Sequence, residues 1–365
     1  MNNPKKIIIA TGGTGGHIFP AYGLAQHFIS NKINVEIVSD KRGLKFLKNI
    51  PNIKIIKISS ATIFKKNIFK ILFSSIIILF SLIKSFIYLI TNRPDLVFGM
   101  GGYSSFPICI AAKTLGIPFI IYENNLCVGK ANQYLLPFAK KIFVSFQEVE
   151  GIPKKYDIKI CKIGNIIRKE ILNYQSQFSQ DASNKKLNIL ILGGSQAAKV
   201  FAEKLPEVFK KCSDANLSFK IYQQCLPQQN KILTSFYERL KIDFEIFNFS
   251  NNILDYFSKT NLVITRAGAS MLAELINSKI PFICIPLPTA ADNHQFKNAL
   301  YYKKHDYAYL VEEKDLEAKL FHLIKDLNDN QFLLEEIIKK QKQFSDKTVY
   351  QNINHEIKKI FNEKN

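Results

Sequence analysis

A glycine-rich turn occurs twice in the chain, as Gly12-Gly13-Thr14-Gly15-Gly16-His17 and as Gly193-Gly194-Ser195-Gln196-Ala197-Ala198. Each copy follows a short apolar, β-branched run, Lys6 to Ala10 or Leu187 to Leu192, and opens a stretch with helical apolar spacing. A strand that turns through glycines into a helix presents unpaired backbone N–H groups and the positive end of the helix dipole, which suits a phosphate. Two such units point to two facing halves with a phosphorylated ligand between them. The first turn is no dinucleotide fingerprint, because Ile18 stands where the third glycine belongs and Asp40 is far along for a ribose-binding acid. It is no P-loop either, since no Gly-Lys-Ser/Thr follows.

Thr265-Arg266-Ala267-Gly268-Ala269-Ser270-Met271-Leu272-Ala273-Glu274 is a third strand-to-helix glycine turn, with Glu274 about one turn inside the helix. A carboxylate there can accept both vicinal hydroxyls of a ribose while backbone N–H groups hold a phosphate, or it can simply complement the helix dipole. Pro286 to Gln295 follows the next strand and ends in Asp292, Asn293, His294 and Gln295, which suit sugar hydroxyls or a plain turn. His17 has the pKa range of a general base; its other reading is a helix-capping histidine. No D-x-D pair occurs, so a metal-bridged diphosphate is not expected, and no cofactor or metal is assigned. Six dispersed cysteines form no C-x-x-C pair and suggest a reducing compartment. A strand is expected within about five residues of Met1, leaving no room for a signal-peptide core.

The formal charge is +20 over 365 residues, 47% of them hydrophobic, enough for two cores of ordinary size. The lysines lack the interleaved aromatics of a nucleic-acid module, so no nucleic-acid partner is expected. Ile68 to Ile90 is long and apolar enough to span a bilayer. On a helical projection, however, Lys70, Ser74, Ser81, Lys84, Ser85 and Tyr88 form one narrow stripe, and strand-like runs flank the segment on both sides. It sits where a βαβ crossover helix belongs. A membrane span and a simply buried crossover remain open readings; a crossover with a membrane-facing side fits best. Lys65, Lys66 and Lys70 would then meet an anionic membrane surface through residues 65–90.

Strand-like runs recur at Lys6–Ala10, Val35–Val38, Ile53–Ile58, Leu96–Gly99, Pro118–Tyr122 and Ile142–Phe146. A polar stretch, Ser176 to Lys186, breaks the rhythm, which restarts at Asn188–Leu192, Phe219–Tyr222, Phe244–Phe249, Leu262–Thr265, Phe282–Ile285 and Tyr307–Val311. The expected fold is α/β, with two doubly wound Rossmann-like domains facing a cleft and ligands at the carboxyl ends of the strands. The boundaries expected are 1–164 for an acceptor and membrane-docking domain and 165–342 for a donor domain, with a helix over about 343–365 packing back on the first.

Taken in order, GGTGGH at 12–17, GMGGY at 99–103, YENN at 122–125, GNIIR at 164–168, GGSQ at 193–196, TRAGA with Glu274, and DNHQ at 292–295 resemble the glycosyltransferase B family, and within it the peptidoglycan N-acetylglucosaminyltransferases. The resemblance covers nearly the whole chain. Tyr122 and Asn124 replace the common His and Gln, Ile166 a frequent proline, and Ala197 and Phe106 frequent glycines.

The resemblance implies an inverting transfer of N-acetylglucosamine from UDP-N-acetylglucosamine to the C4 hydroxyl of a lipid-linked muramoyl-pentapeptide, at the cytoplasmic face of the inner membrane by a peripheral protein. By motif position, Ser195 and Arg168 would contact the donor pyrophosphate and the backbone near Ser250 the uracil. Ala269, Ser270, Met271 and Leu272 would take the phosphate and sugar, and Glu274 the ribose. Gln295, Asn125 and the Thr14-Gly15-Gly16 turn would hold the N-acetylglucosamine. His17 is the candidate base. The turns at Gly12, Gly13, Gly101, Gly102 and Tyr103 suit the acceptor's diphosphate. The alternatives are a family member with another nucleotide sugar or a soluble acceptor, and a non-catalytic membrane adaptor on the same fold. The broad apolar helix argues against the soluble acceptor. The joint presence of His17, Arg168, Glu274 and Gln295 argues against the adaptor.

Overall fold

The computed structural model describes residues 5–47, 53–60, 68–174, 186–194, 199–250 and 252–363, without the side chains of 68–70. Ser195, Lys65, Lys66 and all of the expected linker but Lys186 lie outside the described residues. The chain divides into two compact units, one of Met1–Lys169 with Asp346–Asn365 and one of Glu170–Ser345.

Among the described residues, the first unit holds a seven-stranded sheet. Its strands are β1 (Lys6–Ala10), β2 (Asn34–Ser39), β3 (Lys54–Lys57), β4 (Leu96–Gly99), β5 (Phe119–Glu123), β6 (Lys141–Val144) and β7 (Ile160–Lys162). All pair in parallel, in the order β3-β2-β1-β4-β5-β6-β7. The central strands read as unbroken apolar runs because helices cover both faces: Ile7, Ile8, Ile9 and Ala10 are all fully buried. The edge strand β7 was not expected from sequence. Its three residues, Ile160-Cys161-Lys162, follow a 3₁₀ turn and carry no alternation long enough to register.

The second unit repeats the plan with β8 (Leu187–Leu192), β9 (Phe219–Gln224), β10 (Asp243–Phe247), β11 (Leu262–Thr265), β12 (Phe282–Cys284) and β13 (Tyr309–Leu310). Among the described residues the order is β10-β9-β8-β11-β12-β13, again parallel throughout. In both units the chain enters the sheet at its middle and later crosses to the other side. The loops after β1 and β4, and after β8 and β11, therefore flank a switch point, where ligands of such sheets bind.

The apolar segment is one helix, Ile68–Asn92, crossing from β3 to β4. Its packing is inverted relative to an ordinary surface helix. Ser74, Ser81, Ser85 and Leu89 are buried, whereas Leu72, Phe73, Leu79, Phe80, Ile83 and Ile87 are exposed. The small serines face the protein, where Ser81 Oγ donates to Ser59 O at 2.7 Å and Ser85 Oγ to Ser81 O at 2.7 Å. Tyr88 donates its hydroxyl to Glu36. The helix is thus no simply buried crossover: its broad apolar side has no protein partner among the described residues.

A strap closes the first unit. Gly164 takes φ +94, where a Cβ would lie 2.6 Å from Asp346 Oδ1, and this lets Asn165 reach Asp346. The Asn165 backbone N–H donates to Oδ1 at 2.8 Å and its Nδ2 to Oδ2 at 3.0 Å. From the helix Val349–Asn362, Tyr350 Oη donates to Ile167 O at 2.7 Å and Asn352 Nδ2 to Ile163 O at 3.1 Å. The Gly164–Arg168 segment is thereby fixed from outside. Asp346→Ala, which strands a buried backbone donor, is expected to cost about 1–3 kcal/mol. Thermal unfolding followed by circular dichroism checks this, and an unshifted midpoint would show that the strap does not hold the unit.

Candidate active site

In the first unit the two glycine turns meet at the carboxyl ends of β1 and β4. Gly12 approaches so closely that a Cβ on it would lie 1.8 Å from Ser104 Oγ, and a Cβ on Gly102 would lie 2.8 Å from Gly12 O. Gly13, Gly101 and Gly102 all take positive φ, of 85, 84 and 76°. The His17 ring rests against the second turn, with Cε1 and Nδ1 at 3.0 and 3.1 Å from the Cβ position of Gly101. Ser104 Oγ donates to Thr11 O at 3.0 Å, and Thr11 Oγ1 to His17 O at 3.0 Å, so the turns are tied through side chains as well. Thr14 is exposed at the rim, and His17 and Tyr103 are half-buried.

The loop after β5 joins the same end. Asn124 Nδ2 donates to Gly16 O at 3.2 Å. Asn125 is held by Glu123, whose buried carboxylate accepts the Asn125 N–H at 3.1 Å and its Nδ2 at 3.0 Å. That carboxylate also takes the Gly129 N–H at 2.8 Å and Asn132 Nδ2 at 2.9 Å. One strand position earlier, Tyr122 Oη accepts the Ile166 N–H at 2.9 Å and shares a hydrogen bond with Ser145 Oγ at 2.8 Å. Burial pushes the phenol's pKa far up, so it stays neutral. Through Ile166 it fixes the segment that carries Arg168, whose guanidinium lies 5.3 Å from the centre of the Phe19 ring.

In the second unit, the helix Ala269–Ser278 starts directly after β11, with Gly268 as its N-cap. Among the described residues, nothing lies within 4 Å of the Cβ position of Gly268, so the backbone before this helix is uncrowded. The helix's hydrogen-bond ladder begins with the Leu272 N–H donating to Gly268 O at 3.1 Å, so the backbone N–H groups before it lie at the helix's N-terminal end. Ser270 and Met271 are half-buried; Ala269, Leu272 and Glu274 are buried. Arg266, the cation of the TRAGA run, turns away from that opening. It pairs with Glu313, donates Nη1 to Ile285 O and Pro286 O at 3.2 and 3.3 Å, and covers the Phe201 ring at 4.8 Å. It shapes the Pro286 loop, against which Gln295 Oε1 accepts the Leu287 N–H at 3.0 Å. Ser250 closes a turn of its own, donating Oγ to Asn252 O at 2.9 Å and accepting the Asn252 N–H at 3.2 Å. No group of three or more His, Cys, Asp or Glu side chains suited to a metal ion occurs among the described residues.

Residues 7–144 match the glycosyltransferase family 28 N-terminal domain and residues 188–353 its C-terminal domain. The chain belongs to glycosyltransferase family 28. A family 28 relative from Pelagibacter ubique is 36% identical over 98% of this chain and 99% of its own length. Another, from Rickettsia bellii, is 33% identical over 91% of this chain and 93% of its own. Both are named UDP-N-acetylglucosamine–N-acetylmuramyl-(pentapeptide) pyrophosphoryl-undecaprenol N-acetylglucosamine transferase. The crystal structure of Acinetobacter baumannii MurG superposes with a TM-score of 0.77 at 26% identity, covering 98% of this chain and all of that one.

Several residues that hold these turns were not expected from the sequence to do so. Asp40 is the chief one. Its Oδ1 accepts the N–H of Gly13 at 3.1 Å and of Gly43 at 2.9 Å, and its Oδ2 accepts Ser60 Oγ at 2.9 Å and Arg42 Nη2 at 3.1 Å. The available clue was local, an Asp three residues before Gly43 at the start of a helix, which reads as an N-cap. Burial raises the pKa of Asp40, but the donors from Gly43, Gly13, Ser60 and Arg42 outweigh it together and leave the carboxyl below its ordinary range. Its charge therefore stabilises the first unit fully above a pH of about 4, and that share is lost as the pH falls through the lower folded value. Asp40→Asn is expected to flatten the acid limb of the unfolding midpoint against pH; an unchanged limb would contradict this account of the turn.

Proposed function

We propose that this chain is an inverting N-acetylglucosaminyltransferase. It moves N-acetylglucosamine from UDP-N-acetylglucosamine to the C4 hydroxyl of undecaprenyl-pyrophosphoryl-N-acetylmuramoyl-pentapeptide, the step from lipid I to lipid II in peptidoglycan synthesis. The observation that carries the reading is the near full-length identity to relatives named for this transfer. The glycine turns at the strand ends of each unit supply the matching chemistry.

The donor's pyrophosphate sits at the N-terminus of the Ala269–Ser278 helix, where the first backbone N–H groups and the dipole stabilise the charge that develops as UDP leaves. Arg168 and Ser195 add to that stabilisation, and Ser250 lies beside the uracil. Glu274 accepts the ribose hydroxyls. Gln295, Asn125 and the Thr14 to Gly16 turn hold the N-acetylglucosamine. His17, packed on Gly101, takes the proton from the attacking hydroxyl. The turns at Gly12, Gly13, Gly101, Gly102 and Tyr103 receive the acceptor's diphosphate.

The exposed apolar side of the Ile68–Asn92 helix rests in the cytoplasmic leaflet of the inner membrane, with Lys65, Lys66 and Lys70 meeting anionic headgroups. A lipid-linked acceptor is thus met where its polyprenyl chain is anchored.

Transfer from UDP-N-acetylglucosamine to a lipid-linked muramoyl-pentapeptide by the purified chain tests the proposal. Glu274→Ala should raise the donor KM about ten- to hundredfold, as expected for the loss of a charge-assisted hydrogen bond. An unchanged donor KM removes Glu274 from the ribose. His17→Ala should lower kcat about 10²- to 10⁴-fold while donor affinity by calorimetry stays intact. A collapse of donor binding instead makes His17 a binding residue. Membrane attachment is expected to be lost in alkaline carbonate and weakened by replacing Lys65, Lys66 and Lys70 with Glu. Retention in the pellet after carbonate washing contradicts peripheral docking.

A further inference from the structure

One side chain beside the first glycine turn has no part in the chemistry so far. Arg42 lies just beyond the end of β2, next to β1 in the sheet. It donates Nε and Nη2 to Asp40 Oδ2 at 3.3 and 3.1 Å, while Asp40 Oδ1 accepts the Gly13 N–H at 3.1 Å. A single buried carboxylate thus sets both the guanidinium and the turn, and Nη2 lies 3.8 Å from where a Cβ on Gly13 would be. The two partners differ sharply in exposure, with the Asp40 side chain at 5% and that of Arg42 at 56%. The carboxylate also accepts from Gly13, Gly43 and Ser60, and the guanidinium offers its remaining N–H groups outward. Among the described residues it meets no acceptor other than Asp40.

A diphosphate at this turn carries more negative charge than neutral backbone N–H groups balance, so a cation beside it is needed. The Gly13 N–H, the donor nearest the bend, is already taken by Asp40. A planar guanidinium with free N–H groups is suited to bidentate binding of phosphate oxygens. We propose that Arg42 is an acceptor-binding residue, its guanidinium meeting the diphosphate of the lipid-linked sugar while Asp40 positions it against the glycine turn. The inference rests on the proposed transferase reading and adds to it the residue that recognises the acceptor's charge. The way the unit is tied together agrees with a lipid-linked ligand. Ser60 Oγ donates to Asp40 Oδ2 at 2.9 Å, and its neighbour Ser59 accepts through its carbonyl from Ser81 of the exposed apolar helix at 2.7 Å. The guanidinium is thus linked, through Asp40, Ser60 and Ser59, to the protein-facing side of that helix.

The test compares the wild type with Arg42→Ala and Arg42→Lys in nonionic detergent without phospholipid. The acceptors are a short-chain polyprenyl-diphosphoryl-muramoyl-pentapeptide and its monophosphate analogue. Arg42→Ala is expected to raise the acceptor KM about ten- to hundredfold and to erase the preference for diphosphate over monophosphate, with donor affinity by calorimetry unchanged. Arg42→Lys, which keeps the charge without the fork, should fall between. An acceptor KM and a diphosphate preference that survive Arg42→Ala overturn the proposal. So does an effect that appears only when anionic vesicles are added, since Arg42 would then be meeting headgroup phosphates. A wild-type chain that transfers nothing to the diphosphate acceptor, with donor binding intact, overturns the transferase reading itself and this inference with it.

Discussion

The closeness of two backbone turns in the first unit is the constraint on which its chemistry depends. Gly12 and Gly102 touch at distances that no Cβ tolerates, because adjacent parallel strands β1 and β4 end side by side and both chains must leave the sheet at once. Bare backbone at that point leaves room for a ring and a ligand. His17 fills part of that room by packing on Gly101. Asp40 then fixes the bend from behind by accepting the Gly13 N–H. A positive-φ turn held by one buried carboxylate is stiff, and its stiffness sets where His17 stands.

The second unit solves a similar problem differently. Its turn after β11 is open rather than crowded, with nothing near the Cβ position of Gly268 among the described residues. That openness suits a ligand that brings its own bulk and negative charge to a helix N-terminus. Here the stiffening is done by Arg266, which ties the strand end to the Pro286 loop through two carbonyls and to Glu313 through an ion pair. Arg266, the cation nearest the turn after β11, is thereby structural.

Much of this was legible in the sequence for definite reasons. The recurring apolar, strand-like runs located twelve of the thirteen described strands, since parallel strands buried on both faces read as unbroken apolar segments. The thirteenth, β7, is three residues at an edge and has too few positions to show a pattern. The polar stripe of the Ile68–Asn92 helix was also visible, and the structure shows which way it faces: Ser74, Ser81 and Ser85 point inward, where small hydroxyls hydrogen-bond local carbonyls, and the large apolar side chains point out. What the sequence did not show is long-range pairing. Asp40 with Gly13, Tyr122 with Ile166, and Asp346 with Asn165 join residues 27 to 181 positions apart, and no local periodicity encodes them.

The central claim is that open backbone turns at strand ends, with Glu274 behind them, hold a UDP-sugar in the second unit. The most direct measurement is a crystal structure of the chain with UDP-N-acetylglucosamine bound. The account predicts the pyrophosphate oxygens within hydrogen-bonding distance of the N–H groups at Ala269 to Met271, and both ribose hydroxyls on the Glu274 carboxylate. A donor bound away from the Ala269–Ser278 helix, or a ribose that Glu274 does not touch, would contradict it.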